Sequence, residues 1–185
     1  MSFAKSPAPS AGSRLVRAAL RKRLHQDHHL ELLRGSLQIG APLPVYRLGT
    51  AGIRKANPLT GARKSGWCYP LQAGQSKGVA FVAHCRRGPV FAGINGGAFA
   101  ERLFNAADLA VRELAANAVR FEPRLVEIPV LRIYALWLFA RGGQSRFVSL
   151  SHLADRPLRI ERDINPRIRA AVRRSGASAR LMRRE

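Results

Sequence analysis

A chain of 185 residues, 46% of them hydrophobic and carrying a net charge of +21, has the size of one ordinary domain with extra length at its ends. Its longest apolar stretch, Ile133 to Ala140, is strand length and far short of the roughly 18 residues a membrane-spanning helix needs, so integral membrane association is not expected. The start also lacks an apolar core of about seven residues, which argues against a secretory signal.

The charge is the extreme value. Of the 32 basic residues five are lysine, and the rest are arginine, whose planar fork of donors suits phosphate and carboxylate. Residues 1–64 carry twelve basic residues against Asp27 and Glu31, and residues 155–185 carry ten against four acids. The middle, 65–154, carries ten against five. Cationic flanks of this kind steer polyanions over long range and say nothing about fold. A GC-rich genome, which favours arginine codons, produces the same bias without any nucleic-acid role.

Residues 1–12 are rich in Pro, Ser, Ala and Gly and read as a disordered leader. From Ser13, a good N-cap, to Gly35, a good stop, Leu15, Ala19, Leu20, Leu24, Leu32 and Leu33 give an intermittent helical stripe. The early polar side of this helix bears Arg14, Arg17, Arg21, Lys22 and Arg23. The acid-free start also has the composition of an organelle transit peptide, the alternative to a basic arm in a cytoplasmic protein.

Residues 36–65 mix a candidate strand, Val45 to Leu48, with many Pro and Gly breakers, and carry Arg54, Lys55, Arg63 and Lys64 in what reads as a long basic loop. The core is expected over residues 66–154. Trp67 to Gln72, Val79 to Cys85 and Pro89 to Ile94 are short, aromatic or β-branched segments with polar connectors, as in an antiparallel meander. Ala98 to Val119 is the clearest helix, with Phe99, Leu103, Ala107, Ala110, Leu114 and Ala118 on one face. Phe121 to Val130 contains Pro123 and Pro129 and reads as bent or edge-like. Leu131 to Ala140 reads as a buried strand, with Arg146 to Leu150 its hairpin partner. The expected fold class is α+β, an antiparallel sheet in β-β-β-α-β-β order with one amphipathic helix on a face. A basic helix precedes it, and a basic extension follows over 155–185, with a short helix over Ile164 to Arg174 and a polar tail.

Four constellations are candidates for function. Arg14, Arg17, Arg21, Lys22, Arg23, Arg54, Lys55, Arg63, Lys64, Arg169, Arg173 and Arg174 are placed to neutralise phosphates of nucleic acid or another polyanion. No RNA-binding aromatic signature, zinc-finger spacing or helix-turn-helix accompanies them, so sequence-specific reading is not expected. Cys68 with His84 and Cys85 offers a thiol and an imidazole, the minimum for a hydrolase or transferase nucleophile. Strand alternation lets only one of His84 and Cys85 share a face with Cys68, and small buried cysteines are common.

His25, His28 and His29 provide two metal ligands on a helix but no second pair for a structural zinc. The segment Gly93-Ile94-Asn95-Gly96-Gly97 precedes a helix, where free amides attract anions, without a dinucleotide or P-loop pattern. No cofactor is expected. Of Trp67, Tyr69, Tyr134 and Trp137, strand aromatics usually destined for the core, Trp67 beside the basic loop is the one to test for ligand contact.

Overall fold

The computed structural model describes residues 11–23, 37–53, 57–115, 119–141, 144–150 and 158–181. The fold is mixed α+β, built on one large, mostly antiparallel sheet. In chain order the elements are α1 (Gly12–Arg23), β1 (Gln38–Ile39), β2 (Leu43–Arg47), α2 (Thr50–Ile53), β3 (Arg63–Ala73), β4 (Ser76–Cys85), β5 (Gly88–Gly96) and α3 (Gly97–Leu114). They continue with β6 (Phe121–Ile128), β7 (Ile133–Ala140), β8 (Arg146–Ser149), β9 (Ile160–Glu161) and α4 (Asn165–Leu181). The strands lie in the order β5-β4-β3-β2-β6-β7-β8-β9, with β1 also paired to β3.

Local signals explain the two hairpins that build β3 to β5. Ala73 pairs with Ser76, leaving Gly74 and Gln75 as a two-residue turn in which Gly74 takes φ 57°, a conformation glycine adopts at no steric cost. Cys85 pairs with Gly88 around Arg86 and Arg87. After β5, α3 carries the chain back across the sheet and sets β6 beside β2 in parallel, with Val45 opposite Leu125 and Arg47 opposite Glu127. Every other strand pair is antiparallel.

Strand alternation divides the core into two layers. On one face Val45, Cys68, Val79, Leu125, Leu136 and Val148 pack against Ala100, Leu103, Ala106, Ala110 and Leu114 of α3. The alanines bring that helix close to the strands. On the opposite face Val16 and Leu20 of α1 cover Trp67, Tyr69, Leu71, Ala80 and Val82, while Ile168 and Ala171 of α4 cover Val126, Ala135, Trp137 and Phe147. Helices therefore pack on both faces rather than on one.

Four expectations are corrected. The sheet does not begin at Gly66: β2 is a central strand, and Leu48 just after it is fully buried. Phe121–Ile128 is likewise central, paired with β2 on one side and β7 on the other. Its proline is tolerated because the parallel ladder starts at Val45 and Leu125, past both Pro44 and Pro123, so neither missing N–H is asked to bond across it. The β-β-β-α-β-β order is also too short, since β1 and β2 precede it and β9 follows. At the C-terminal end the helix runs through residue 181 instead of stopping near 174. The rest of the expected N-terminal helix, residues 24–35, lies outside the described residues.

Candidate functional site

The face shared by α1 and α4 concentrates positive charge. The buried positions of α1, Val16 and Leu20, are four apart, so Arg14, Arg17, Arg21 and Lys22 project outward and are exposed. In α4 the buried Ile168 and Ala171 likewise turn Arg169, Arg173 and Arg174 to the exterior. Neither helix contains an acid. Arg167 belongs elsewhere, because its guanidinium is clamped by both carboxylate oxygens of Glu161, at 2.8 and 2.7 Å from Nε. By contrast α3, on the other face, carries Glu101, Asp108 and Glu113 against Arg102 and Arg112.

Between the two cationic helices the same face presents cations on aromatic rings. Lys64 Nζ sits 3.7 Å from the centroid of the Trp67 ring, and partial burial lowers the Lys64 pKa. The Arg124 guanidinium lies 3.6 Å from the Phe139 ring centroid, 4.8 Å from that of Tyr46 and 5.0 Å from that of Trp137. It also bonds Glu122 at 2.9 Å. Arg124 escaped the sequence reading, although an arginine in an apolar strand is a signal of a paired or stacked cation.

The remaining basic candidates divide simply. Arg63 is exposed at the start of β3. The Arg23 side chain, Arg54, Lys55, and His25, His28 and His29 lie outside the described residues. Among the described residues no cluster of three or more His, Cys, Asp or Glu is placed to hold a metal, and no helix is long and apolar enough to cross a membrane.

The thiol and imidazole are not brought together. Cys68 is fully buried on the α3 face, opposite Phe81 in the register, whereas His84 is exposed, three residues further along and on the other face. Burial raises the Cys68 pKa, and the nearby Glu127 carboxylate raises it further. A thiol so held resists forming the thiolate that nucleophilic catalysis needs. Cys85 shares the face of Cys68 but is exposed at the end of the strand.

On the α3 face, where β2 and β6 end, lies a cleft of about 940 Å³. Small residues pave it: Gly66, Ala83, Ala92 and Gly93 leave the sheet backbone close to the surface. Gly66 has no alternative, since a Cβ there would stand 2.2 Å from the Val82 carbonyl oxygen. Phe81, Phe99 and Tyr134 form one wall, with Phe99 and Tyr134 edge to face at 5.6 Å. Arg47, Glu127 and Arg132 supply its charge, and Asn95 lies at its margin. Trp67 and Gly93 also line it, but the Trp67 ring itself packs beneath α1 on the opposite face. Glu127, Arg47 and Arg132 were not singled out in the sequence. The available signal was Glu127 itself, a lone acid in the apolar run Leu125-Val126-Glu127-Ile128.

We found no matching family model, curated protein or solved structure for this chain.

Proposed function

We propose that the protein binds nucleic acid or a similar polyanion without sequence specificity, through the face built by α1 and α4. The observation that carries this reading is that two acid-free, arginine-bearing helices, distant in sequence, pack on the same side of the sheet, while the net acidic α3 occupies the other. A composition effect gives no reason for both helices of one face to lack acids while the helix of the other carries three. Phosphate contacts from Arg14, Arg17, Arg21, Arg169 and Arg173 supply affinity that carries no sequence information. Lys64, set on the Trp67 ring between the helices, adds a cation to the floor of the face, where Arg124 is balanced by Glu122. The two free thiols are in keeping with a reducing compartment such as the cytoplasm.

The test is fluorescence anisotropy with arbitrary single- and double-stranded oligonucleotides across a salt series. If about five phosphates are neutralised, affinity falls roughly 500-fold between about 50 and 200 mM salt. Arg17→Glu with Arg21→Glu, and separately Arg169→Glu with Arg173→Glu, each weaken binding of all sequences alike. Absence of binding at low salt, or binding untouched by both pairs, overturns the proposal.

A further inference from the structure

The cleft on the α3 face is chemically unlike the cationic face and lies on the other side of the sheet. Its volume of about 940 Å³ is that of a small-molecule site. Three kinds of group converge there. Phe81, Phe99 and Tyr134 offer ring surface. Arg47 and Arg132 offer two exposed arginine side chains at its rim. The Glu127 carboxylate, with a side chain only 10% exposed, accepts a hydrogen bond from Arg47 at 3.3 Å through Oε2.

Arg132 makes this more than a dent in the surface. It is the one described non-glycine residue with positive φ, at φ 51° and ψ 36°. A left-handed arginine costs stability where glycine would not. Its backbone is held by the turn before it, the amide donating to the Pro129 carbonyl at 3.0 Å. A costly conformation is thus kept at the position where an arginine flanks the cleft.

We propose that this cleft is a binding site for a mononucleotide carrying a base with adjacent N–H donors, guanine being the base that fits. The base lies against the Phe99 and Tyr134 rings and presents its N–H edge to Glu127, which as a carboxylate only accepts. The phosphate lies between Arg47 and Arg132, whose guanidinium groups are matched to its oxygens. This inference does not depend on the polyanion reading, because it uses other residues on the opposite face.

Isothermal titration calorimetry of the full chain tests it, with guanosine monophosphate, adenosine monophosphate, guanosine and inorganic phosphate as titrants. Guanosine monophosphate is expected to bind at least about tenfold more tightly than each of the other three. Arg132→Gly weakens it about tenfold without lowering the melting temperature, since glycine relieves the backbone. Glu127→Gln removes the preference for guanine over adenine. The α1 pair Arg17→Glu and Arg21→Glu leaves it unchanged, even where oligonucleotide binding is lost. Equal binding of phosphate and nucleotide, indifference to Arg132→Gly, or no heat from guanosine monophosphate overturns the inference.

Discussion

Arg47 and Glu127 stand directly opposite one another across the parallel β2–β6 pair, with Nη2 of the arginine 3.3 Å from Oε2 of the carboxylate. Their environments are unequal: the Arg47 side chain is 59% exposed, the Glu127 side chain 10%. Removing the arginine therefore strands a carboxylate with little water, whereas removing the carboxylate returns the arginine to solvent. Arg47→Ala is expected to cost about 1–2 kcal/mol. Glu127→Leu, which fills the same space without a charge, is expected to be neutral or stabilising. Urea denaturation of the two variants checks the asymmetry, and equal losses contradict it.

The two cysteines are expected to differ sharply toward a thiol reagent. Cys85 is exposed and reacts at once in the folded protein, and Cys85→Ser abolishes that phase. Cys68 reacts only on unfolding. Its raised pKa also has a sign at alkaline pH. Above the ordinary thiol value of 9.0, the unfolded chain loses the Cys68 proton while the folded chain keeps it. The unfolded state then binds fewer protons, so stability falls as pH rises, by up to about 1.4 kcal/mol per pH unit. Cys68→Ala costs stability at neutral pH but removes this contribution. Denaturant midpoints at about pH 8 and pH 10 for both proteins measure it.

Gly12 opens α1 against the phenol of the fully buried Tyr69, and a Cβ at this position would stand 1.8 Å from Oη. Gly12→Ala must push the helix or the ring aside and is expected to cost about 2 kcal/mol. The same hydroxyl is buried with no hydrogen-bond partner among the described residues. Tyr69→Phe is thus expected to be neutral or to stabilise by about 1 kcal/mol, and to recover much of the loss in the double variant. Thermal melts of the four proteins form the cycle. A double variant no better than Gly12→Ala alone contradicts the contact.

Stacked on Phe139, Arg124 is expected to be hard to replace. Arg124→Lys keeps the charge but loses the planar stacking on Phe139 and is expected to destabilise by about 1 kcal/mol, and Arg124→Ala by more, because packing is lost as well. Melting temperatures of both variants, set beside exposed Arg63→Ala as the neutral reference, check this ordering.

What was legible in the sequence was local. The β3–β4 and β4–β5 hairpins were marked by Gly74 and Gly88 between alternating segments, and α3 by its three-and-four spacing. These signals lie within a few residues of the structure they produce. The central strands were obscured for the opposite reason. Pro44 and Pro123 argue for edges or loops, and only the register of β2 against β6, which begins one and two residues after them, shows why they are accommodated. The cleft was illegible as a unit. Arg47, Glu127 and Arg132 are separated by up to 85 residues in the chain, and no spacing rule connects them.

The sequence by itself determined the charge and its allocation to the flanks, the one strongly amphipathic helix, and the alternation that makes a sheet with two apolar faces. These follow from residue type and short-range periodicity. Only the tertiary structure decided that α1 and α4 share a face, that Cys68 and His84 do not, and that the buried carboxylate of Glu127 meets Arg47 in a cleft with an aromatic wall. Those outcomes depend on strand order and register, which arise from pairing distant segments to bury both faces of the sheet.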